Sequence, residues 1–433
     1  MIALKKDIGL IVTPVIYSRA EHGISRASIS ENALKVLYRL KKSGYQAHLV
    51  GGAVRDLLLG REPKDFDVAT DATPEQVKAV FGNCRLIGRR FRLAHVRFGR
   101  EIIEVATFRS AQFQNESQSN LGMILRDNDY GSIEEDALRR DFSVNALYYN
   151  IHDFSVLDYA GGMEDLRAGC LRLLGDPETR YREDPVRLLR AIRFAAKLGF
   201  KLDSATHAPI SELACLLQEV PAARLYEEAL KLFMSGCAVS VFEKLRQYGL
   251  FAQLFPMTDE ALAHEEHQFP LTLALRGMEN TDKRLALGKP VTPAFLFAVL
   301  LWEPLRRMAD ELQSGQELAL YPAIQEAASR VLQEQVKRVA IPRRFTTPMR
   351  EIWTLQARFP HIKGKRPRRL LEHPRFRAGY DFLLLRAESG EADPELARWW
   401  TEFQRQNGLD PSGGSAARSQ RRRRRRPRKR SRA

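Results

Sequence analysis

The chain has 433 residues, of which 44% are hydrophobic and 28% charged, and its formal net charge is +16. This composition is that of a globular protein, its length predicts two to four structural units, and no stretch approaches the ~20 apolar residues that span a bilayer. The four cysteines have no CxxC spacing, which argues against a zinc centre or a disulfide framework and suits a reducing compartment.

An α/β pattern follows an irregular N-terminal arm over residues 1–29. Ser30 is a typical helix N-cap, and the apolar spacing after it predicts a helix that ends at Gly44. The next apolar run, residues 48–50, predicts a short buried strand that leads into a glycine pair. The elements predicted after this pair are a helix over 54–59, a strand over 65–70, a helix from Thr73-Pro74, a hairpin of strands over 93–98 and 101–108, a helix over 134–149 and a strand over 154–159.

Helices dominate the pattern beyond residue 161. An amphipathic helix is predicted over 185–198 and ends at Gly199. Further helices are predicted over 221–234, 239–248, 291–312 and 316–339. We therefore predict five segments, namely the arm (1–29), an α/β head (30–160), a helical neck (161–240), a helical body (241–407) and a disordered basic tail (408–433).

The first chemical motif combines a strand-to-helix turn, Gly51-Gly52, with Asp65 and Asp67. Two aspartates at i and i+2 of a strand project to one face about 6–7 Å apart, where their charges repel each other. A divalent cation relieves this repulsion, and Mg²⁺ prefers carboxylates together with phosphate oxygens. Paired metals can activate an attacking hydroxyl and stabilise a leaving pyrophosphate, while the glycine turn and Arg55 can approach a triphosphate. Solvated surface carboxylates are the alternative, which the preceding glycine turn disfavours.

Glu104 is an acid within an otherwise apolar predicted strand. An unpaired buried carboxylate is energetically unfavourable. The residue is therefore either a third metal ligand from a neighbouring strand or the partner of an arginine such as Arg109. The pattern favours neither alternative over the other.

A second motif places Asp141 and Asn145 one turn apart on the predicted helix, next to Arg140. Asp and Asn side chains can hydrogen-bond ribose hydroxyls, and an arginine can brace a triphosphate. Spacing alone favours the alternative, which is an exposed helix face with ordinary charges.

The third motif lies at the start of a predicted helix, where Asp184 is the expected N-cap and Pro185 the first helical residue. Arg187, Arg190 and Arg193 recur every three residues and form a strip of guanidinium groups. Such a strip can hydrogen-bond a nucleobase edge or hold RNA phosphates. A basic solvated stripe with a capping acid is an equally good interpretation.

Together these three motifs resemble the class II nucleotidyltransferases of the DNA polymerase β superfamily, which comprise CCA-adding enzymes and bacterial poly(A) polymerases. Residues 51–55 with 65–67 resemble the metal motif of that family, 139–146 its ribose motif, and 183–187 its nucleobase motif. The resemblance is dense over about 47–200 and looser towards residue 400. It implies a polymerase β-like α/β nucleotidyltransferase head, an all-α neck and body, and a disordered basic tail.

The resemblance also implies roles for individual residues. The residues expected to be catalytic are Asp65, Asp67 and Asp141. The residues expected to bind Mg²⁺, in a two-metal site that also accepts Mn²⁺, are Asp65, Asp67 and Glu104. The residues expected to bind the nucleotide are Gly51, Gly52, Arg55, Arg140, Asn145, Glu183, Asp184 and Arg187, of which the last three would read the base.

Four further segments resemble the poly(A) polymerase branch, namely 87–96, 131–136, 174–187 and 368–378. We therefore expect template-independent addition of AMP from ATP to RNA 3′ ends, in support of RNA decay. A CCA-adding tRNA nucleotidyltransferase is the first alternative, since it shares the catalytic residues. An RNA-binding protein without catalysis is the second, which the intact acidic residues disfavour.

The tail concentrates the charge, because eleven of the last sixteen residues are Lys or Arg. Such a segment binds phosphate backbones without reading sequence. The residues expected to bind RNA are Arg421, Arg422, Arg423, Arg424, Arg425 and Arg426, together with Arg190 and Arg193. A nuclear-targeting signal and a solubility tail are the alternatives. The expected partners are RNA 3′ ends, ATP and RNA-decay proteins, and the expected location is the cytoplasm, with peripheral attachment to the anionic inner membrane left open.

Overall fold

The structure, a computed structural model, describes residues 13–88, 92–110, 130–263 and 273–411. It divides into two compact units, Met1–Pro256 with Arg338–Ala340, and Met257–Lys337 with Ile341–Ala433. Within the described ranges, no helix is both long and apolar enough to cross a membrane.

An eight-stranded mixed sheet forms the centre of the first unit. Its strands in chain order are β1 Val15–Tyr17, β2 Ala47–Val50, β3 Asp67–Thr70, β4 Cys84–Ile87, β5 Leu93–Phe98, β6 Glu101–Thr107, β7 Leu147–Asn150 and β8 Val156–Asp158. They lie side by side in the order β1-β8-β7-β2-β3-β6-β5-β4, and β3 pairs with β6 in parallel. The helices that accompany the sheet are α1 Arg19–His22, α2 Glu31–Lys42, α3 Gly52–Leu58, α4 Pro74–Val80, α5 Ile133–Arg139 and α6 Gly162–Ala168.

The two faces of this sheet carry different cores. Val68 of β3 and Val105 of β6 lie in the core beneath α2. Ala69 lies in a separate core on the opposite face. Because side chains alternate along a strand, Asp67 and Glu104 lie on that opposite face, away from α2.

Helices form most of the remaining described chain. A short parallel strand pair, β9 Cys170–Leu171 and β10 Lys201–Leu202, lies among the first of them. The helices up to the unit boundary are α7 Pro177–Glu183, α8 Val186–Leu198, α9 Ser204–His207, α10 Ala222–Phe233, α11 Ala238–Gln247 and α12 Leu250–Leu254. The helices from the boundary onwards are α13 Pro256–Ala263, α14 Leu273–Ala286, α15 Pro293–Leu300, α16 Trp302–Gln316, α17 Leu320–Arg338, α18 Arg343–Gln356, α19 Arg366–Leu371, α20 Phe376–Glu388 and α21 Pro394–Gln406.

Two fully buried tryptophans anchor the core of the second unit. The indole N–H of Trp353 donates to the carbonyl of Ala298 at 3.0 Å, and that of Trp400 donates to the carbonyl of Phe359, also at 3.0 Å. Each side chain thus buries a large apolar surface while its polar atom keeps a hydrogen bond.

Several predictions that rest on short-range signals are confirmed. The Ser30 hydroxyl accepts from the amide of Asn32 at 3.2 Å, as an N-cap residue does. Thr73 forms a capping box at the start of α4, and Gly199 ends α8 with φ +75°. The hairpin predicted on either side of residues 99–100 is formed by β5 and β6.

Several predicted element boundaries were wrong. The single helix predicted over 134–149 consists of α5, a 3₁₀ turn at Ser143–Asn145 and β7. Arg140 is extended (φ −60°, ψ 167°), so α5 ends there. The predicted helix over 291–312 is interrupted at Leu301, which separates α15 from α16. The strand predicted from Asp65 begins at Asp67, so the strand pleat does not fix the direction of the Asp65 side chain.

Candidate active site

Asp67 and Glu104 face each other across the parallel pair of strands β3 and β6. The Asp67 side chain reaches solvent, yet the atoms around its carboxylate remove much of its hydration. This desolvation, followed by the negative charges of Glu104 and Asp65, raises the pKa of Asp67 to about 6, against a lowering effect of Arg140. The structure therefore crowds acidic groups at this point of the sheet.

The residues at this point fit a divalent cation. Their donor atoms are carboxylate oxygens, and a bound cation would relieve the repulsion that, together with the larger effect of desolvation, raises the pKa of Asp67. Over the described ranges no three His, Cys, Asp or Glu side chains form a ready-made metal centre. Asp67 and Glu104 are brought together, whereas Asp65 lies exposed ahead of the strand. The assignment of all three as metal ligands stays a prediction.

The described partner of Glu104 is His95 on β5, not the arginine considered as an alternative. Nε2 of His95 lies 3.2 Å from a carboxylate oxygen of Glu104, whose side chain is 41% exposed. The exposed fraction leaves the carboxylate accessible from solvent, so the histidine contact does not exclude a further ligand.

The glycine turn has the backbone conformation that its sequence suggested. Gly51 has φ +74° and ψ −136°, a region that side-chain-bearing residues rarely adopt. A Cβ atom at Gly51 would lie 3.6 Å from Nη1 of Arg140, and one at Gly52 would lie 3.4 Å from Nη2 of Arg55. Two arginines therefore flank a turn that is bare of side chains.

Arg55 is buried, and each of its three guanidinium nitrogens donates to a neighbouring side chain. Nε and Nη2 donate to Asp56 at 2.9 and 2.6 Å, and Nη1 donates to the amide oxygen of Asn145 at 2.6 Å. The amide nitrogen of Asn145 donates in turn to Asp141 at 3.1 Å. Arg55 thus braces Asn145 and Asp141, and its predicted contact with the nucleotide stays untested.

Asp141 and Asn145 are neighbours, although not through a shared helix. Asp141 accepts from Nε of Arg190 at 2.8 Å and from the backbone amide of Phe142 at 2.8 Å. Burial acts to raise the pKa of Asp141, but Arg190 and the hydrogen bonds from Asn145 and Phe142 outweigh it and hold the pKa well below its usual range. Asp141 is therefore ionised at neutral pH.

The acids of the third motif are held by arginines. Glu183 accepts from Nη1 of Arg180 at 2.7 Å and from Nη1 of Arg187 at 2.9 Å. Both carboxylate oxygens of Asp184 accept from Arg224, at 2.8 and 2.7 Å. The motif is therefore rigid, and two of the arginines that fix it, Arg180 and Arg224, were not singled out by the sequence reasoning.

The expected N-cap position differs by one residue from the observed one, since Pro185 is the N-cap of α8 and Val186 its first residue. The expected strip of arginines is not a uniform solvated face either. Arg187 and Arg190 are paired with carboxylates, whereas Arg193 stacks on the Phe194 ring at 4.4 Å. Burial, with the nearby charge of Arg190, lowers the pKa of Arg193 to about 10. RNA binding by Arg190 and Arg193 stays a prediction.

Two residues near the turn, Asp136 and Tyr148, were also missed by the sequence reasoning. Both are buried and both contact Arg140. Asp136 resembles an ordinary charge in the first turn of a helix, and Tyr148 resembles an ordinary aromatic residue of a strand, so no local signal marks them. The predicted tail contacts Arg421, Arg422, Arg423, Arg424, Arg425 and Arg426 lie outside the described residues.

Comparison with known proteins identifies the family. Models described as "Poly A polymerase head domain", "Probable RNA and SrmB- binding site of polymerase A" and "Polymerase A arginine-rich C-terminus" match residues 47–172, 199–262 and 316–432. The Poly(A) polymerase I of Salmonella typhi is 53% identical over 397 residues, which cover 90% of this chain and 85% of that protein. The chain belongs to the poly(A) polymerase family.

CCA-adding enzymes are more distant relatives of this poly(A) polymerase family member. That of Bacillus licheniformis is 36% identical over 222 residues, which cover 51% of this chain and 55% of that protein. The solved structure of a CCA-adding enzyme in apo form I has a TM-score of 0.56 at 19% identity and covers 91% of this chain and 86% of that one, which supports the fold alone. The predictions of a nucleotidyltransferase head, a helical remainder and the poly(A) polymerase branch are confirmed, and the CCA-adding alternative is not favoured.

Proposed function

We propose that the chain is a template-independent polymerase that transfers AMP from ATP to the 3′ end of RNA and releases pyrophosphate. The observation that carries this proposal is the crowding of Asp67 and Glu104 beside the bare turn at Gly51, with Arg140 at the same place. The 53% identity to Poly(A) polymerase I supports the choice of ATP and RNA as substrates.

Asp65, Asp67 and Glu104 would hold Mg²⁺, for which Mn²⁺ would substitute. When bound, the cation supplies positive charge that activates the 3′-hydroxyl and stabilises the departing pyrophosphate. Asp67 must be ionised for this, and Arg140 favours the ionised form. The triphosphate would occupy the space over Gly51, where no side chain obstructs it.

The remaining motif residues would orient the nucleoside. Asp141, fixed by Arg190 and Asn145, would accept hydrogen bonds from the ribose hydroxyls. Arg187, held against Glu183, would present its remaining N–H groups to the adenine edge. Because these groups are held by ion pairs before the nucleotide arrives, little ordering is needed on binding.

RNA would be held mainly outside the catalytic head. The family model for a probable RNA-binding site matches residues 199–262, and the arginine-rich C-terminal model includes the tail. We place the RNA contacts in these segments, with Arg421 to Arg426 as an unselective tether. The same proposal includes RNA-decay proteins as partners, a cytoplasmic location and the five-segment division.

Primer extension tests the proposal. An end-labelled unstructured RNA and a tRNA without its CCA end are incubated with Mg²⁺ and each nucleotide triphosphate in turn. We expect long ladders with ATP on the unstructured RNA, and Asp67→Asn should lower the rate by more than about 100-fold. Glu62→Gln, an exposed acid five residues earlier, is the matched control and should behave as the unmodified protein.

The same assay separates the alternatives. Addition of two CMP and one AMP to the tRNA alone would assign the chain to the CCA-adding branch. An absence of extension on both RNAs, with the fold intact by circular dichroism, would overturn the proposed activity.

A further inference from the structure

Arg140 lies close to both parts of the candidate active site. Its Nη1 atom would be 3.6 Å from a Cβ at Gly51, so it borders the bare turn. Its charge also acts on Asp67, against the effect of Glu104. The direction of this guanidinium group therefore affects both the space for the nucleotide at the glycine turn and the charge at the catalytic carboxylates.

Two of the three guanidinium nitrogens of Arg140 are used within the protein. Nε donates to the hydroxyl of Tyr148 at 2.8 Å, and Nη2 donates to Oδ2 of Asp136 at 3.0 Å. The Tyr148 hydroxyl donates to the same Oδ2 atom at 2.6 Å. These three hydrogen bonds form a closed ring, and Nη1 is the nitrogen that has no partner among the described residues.

The ring is rigid because its members are buried and held from several elements. Tyr148 is fully buried on β7, and Asp136 is buried on α5. The backbone carbonyl of Arg140 accepts from Nη2 of Arg180 at 2.9 Å, so the main chain is held as well. A buried carboxylate is stable only when it is paired, and Arg140 and Tyr148 both satisfy Asp136. The arginine therefore loses little freedom when it binds a ligand.

We infer that Asp136 and Tyr148 are positioning residues that hold Arg140 with Nη1 towards the turn at Gly51, where it contacts the triphosphate of the incoming nucleotide. This inference rests on the proposed function and adds to it a specific contact atom. It also assigns a role to Asp136 and Tyr148, which lie outside the three sequence motifs. Both residues act through Arg140 and do not contact the nucleotide themselves.

The test replaces Tyr148 with phenylalanine, which removes the hydroxyl and keeps the ring. The Michaelis constant for ATP should rise about 5- to 10-fold, the loss expected for one hydrogen bond of average strength, while kcat changes by less than about 3-fold. The dissociation constant of ATP, measured by calorimetry without RNA, should rise by the same factor. The dissociation constant of AMP should not change, because AMP lacks the β- and γ-phosphates.

Tyr149→Phe is the matched control. This neighbour lies in the core on the other face of the sheet, and within the described chain its hydroxyl has no hydrogen bond. It should leave the Michaelis constant for ATP unchanged. A double-mutant cycle adds a readout that loss of packing would not give: in an Arg140→Lys background the effect of Tyr148→Phe should shrink below about 2-fold, because Nε is already absent.

Three outcomes would overturn the inference. These are an unchanged affinity for ATP in Tyr148→Phe, an equal loss of affinity for ATP and AMP, and additivity with Arg140→Lys. If Tyr148→Phe does not fold, Asp136→Asn is compared for ATP and AMP in the same way. Extension of RNA by the unmodified protein is measured alongside, so failure of the proposed function is seen in that protein and failure of the inference only in the variants.

Discussion

Replacement of Arg190 by methionine tests how much its ion pair with Asp141 stabilises the first unit. Nε of Arg190 lies 2.8 Å from Oδ2 of Asp141, and the side chains are 31% and 12% exposed. Methionine keeps the length of the aliphatic stem but removes the charge. Asp141 would then keep only its hydrogen bonds from Asn145 and the amide of Phe142.

The expected loss lies between the limits for buried and exposed pairs. Removal of one partner from a fully buried pair costs about 3–5 kcal/mol, whereas an exposed pair contributes about 0–1 kcal/mol. Since Arg190 is 31% exposed, we expect a loss of about 2–3 kcal/mol at pH 7.

The loss should also depend on pH. The pKa of Asp141 is held below its ordinary value of 3.8, so the pair stabilises the fold above that pH. The stabilisation is lost as the pH falls further, through the folded-state pKa. The difference between Arg190→Met and the unmodified protein should therefore shrink below about pH 4.

Urea unfolding followed by circular dichroism measures this loss. Arg182→Met is the control, because Arg182 pairs with Glu178 at the surface, with side chains 48% and 60% exposed, and should change the stability by at most about 0.5 kcal/mol. Arg190→Met combined with Asp141→Asn should be less destabilised than the sum of the single variants. Equal stability of Arg190→Met and Arg182→Met would refute the reasoning.

Three further predictions concern buried or constrained residues. Burial lowers the pKa of His48 to about 4, so its neutral form is favoured in the fold and the stability should fall as the pH drops from 6.5 towards 4. The free energy of unfolding, measured with urea, should be about 2 kcal/mol lower at pH 5 than at pH 7. The variant His48→Phe, measured at both pH values, should not show this difference. Gly51→Ala forces a side chain into a backbone region with φ +74° and should cost about 1–3 kcal/mol in thermal unfolding, whereas Gly82→Ala, whose Cβ meets nothing within 4 Å, should be nearly neutral. Arg224→Met releases Asp184 from its two hydrogen bonds, and kcat/KM for ATP should fall about 10-fold while that for CTP falls less; equal losses for both nucleotides would count against a base-reading role of Asp184.

Local signals predicted much of the secondary structure, because the physical cause lies within a few residues. The cap at Ser30, the capping box at Thr73 and the helix end at Gly199 depend on side-chain size and on backbone conformation at one position. The predicted helix over 134–149 was wrong because apolar spacing does not distinguish a buried helix from a turn followed by a buried strand. The strand β7 forms there because β2 and β8 flank it.

The sequence by itself determined the family, the branch and the residue types at the centre of the site. A glycine turn, two close aspartates and the later acidic and basic motifs are local patterns, and their chemistry does not need the fold to be recognised. The tertiary structure alone decided which charges meet. Arg55 reaches Asn145 across 90 residues of sequence, and Arg190 reaches Asp141 across 49. Pairing at this separation depends on which elements pack together. Spacing alone therefore left open whether the strip of arginines binds a ligand or is solvated, whereas in the structure Arg187 and Arg190 pair with carboxylates.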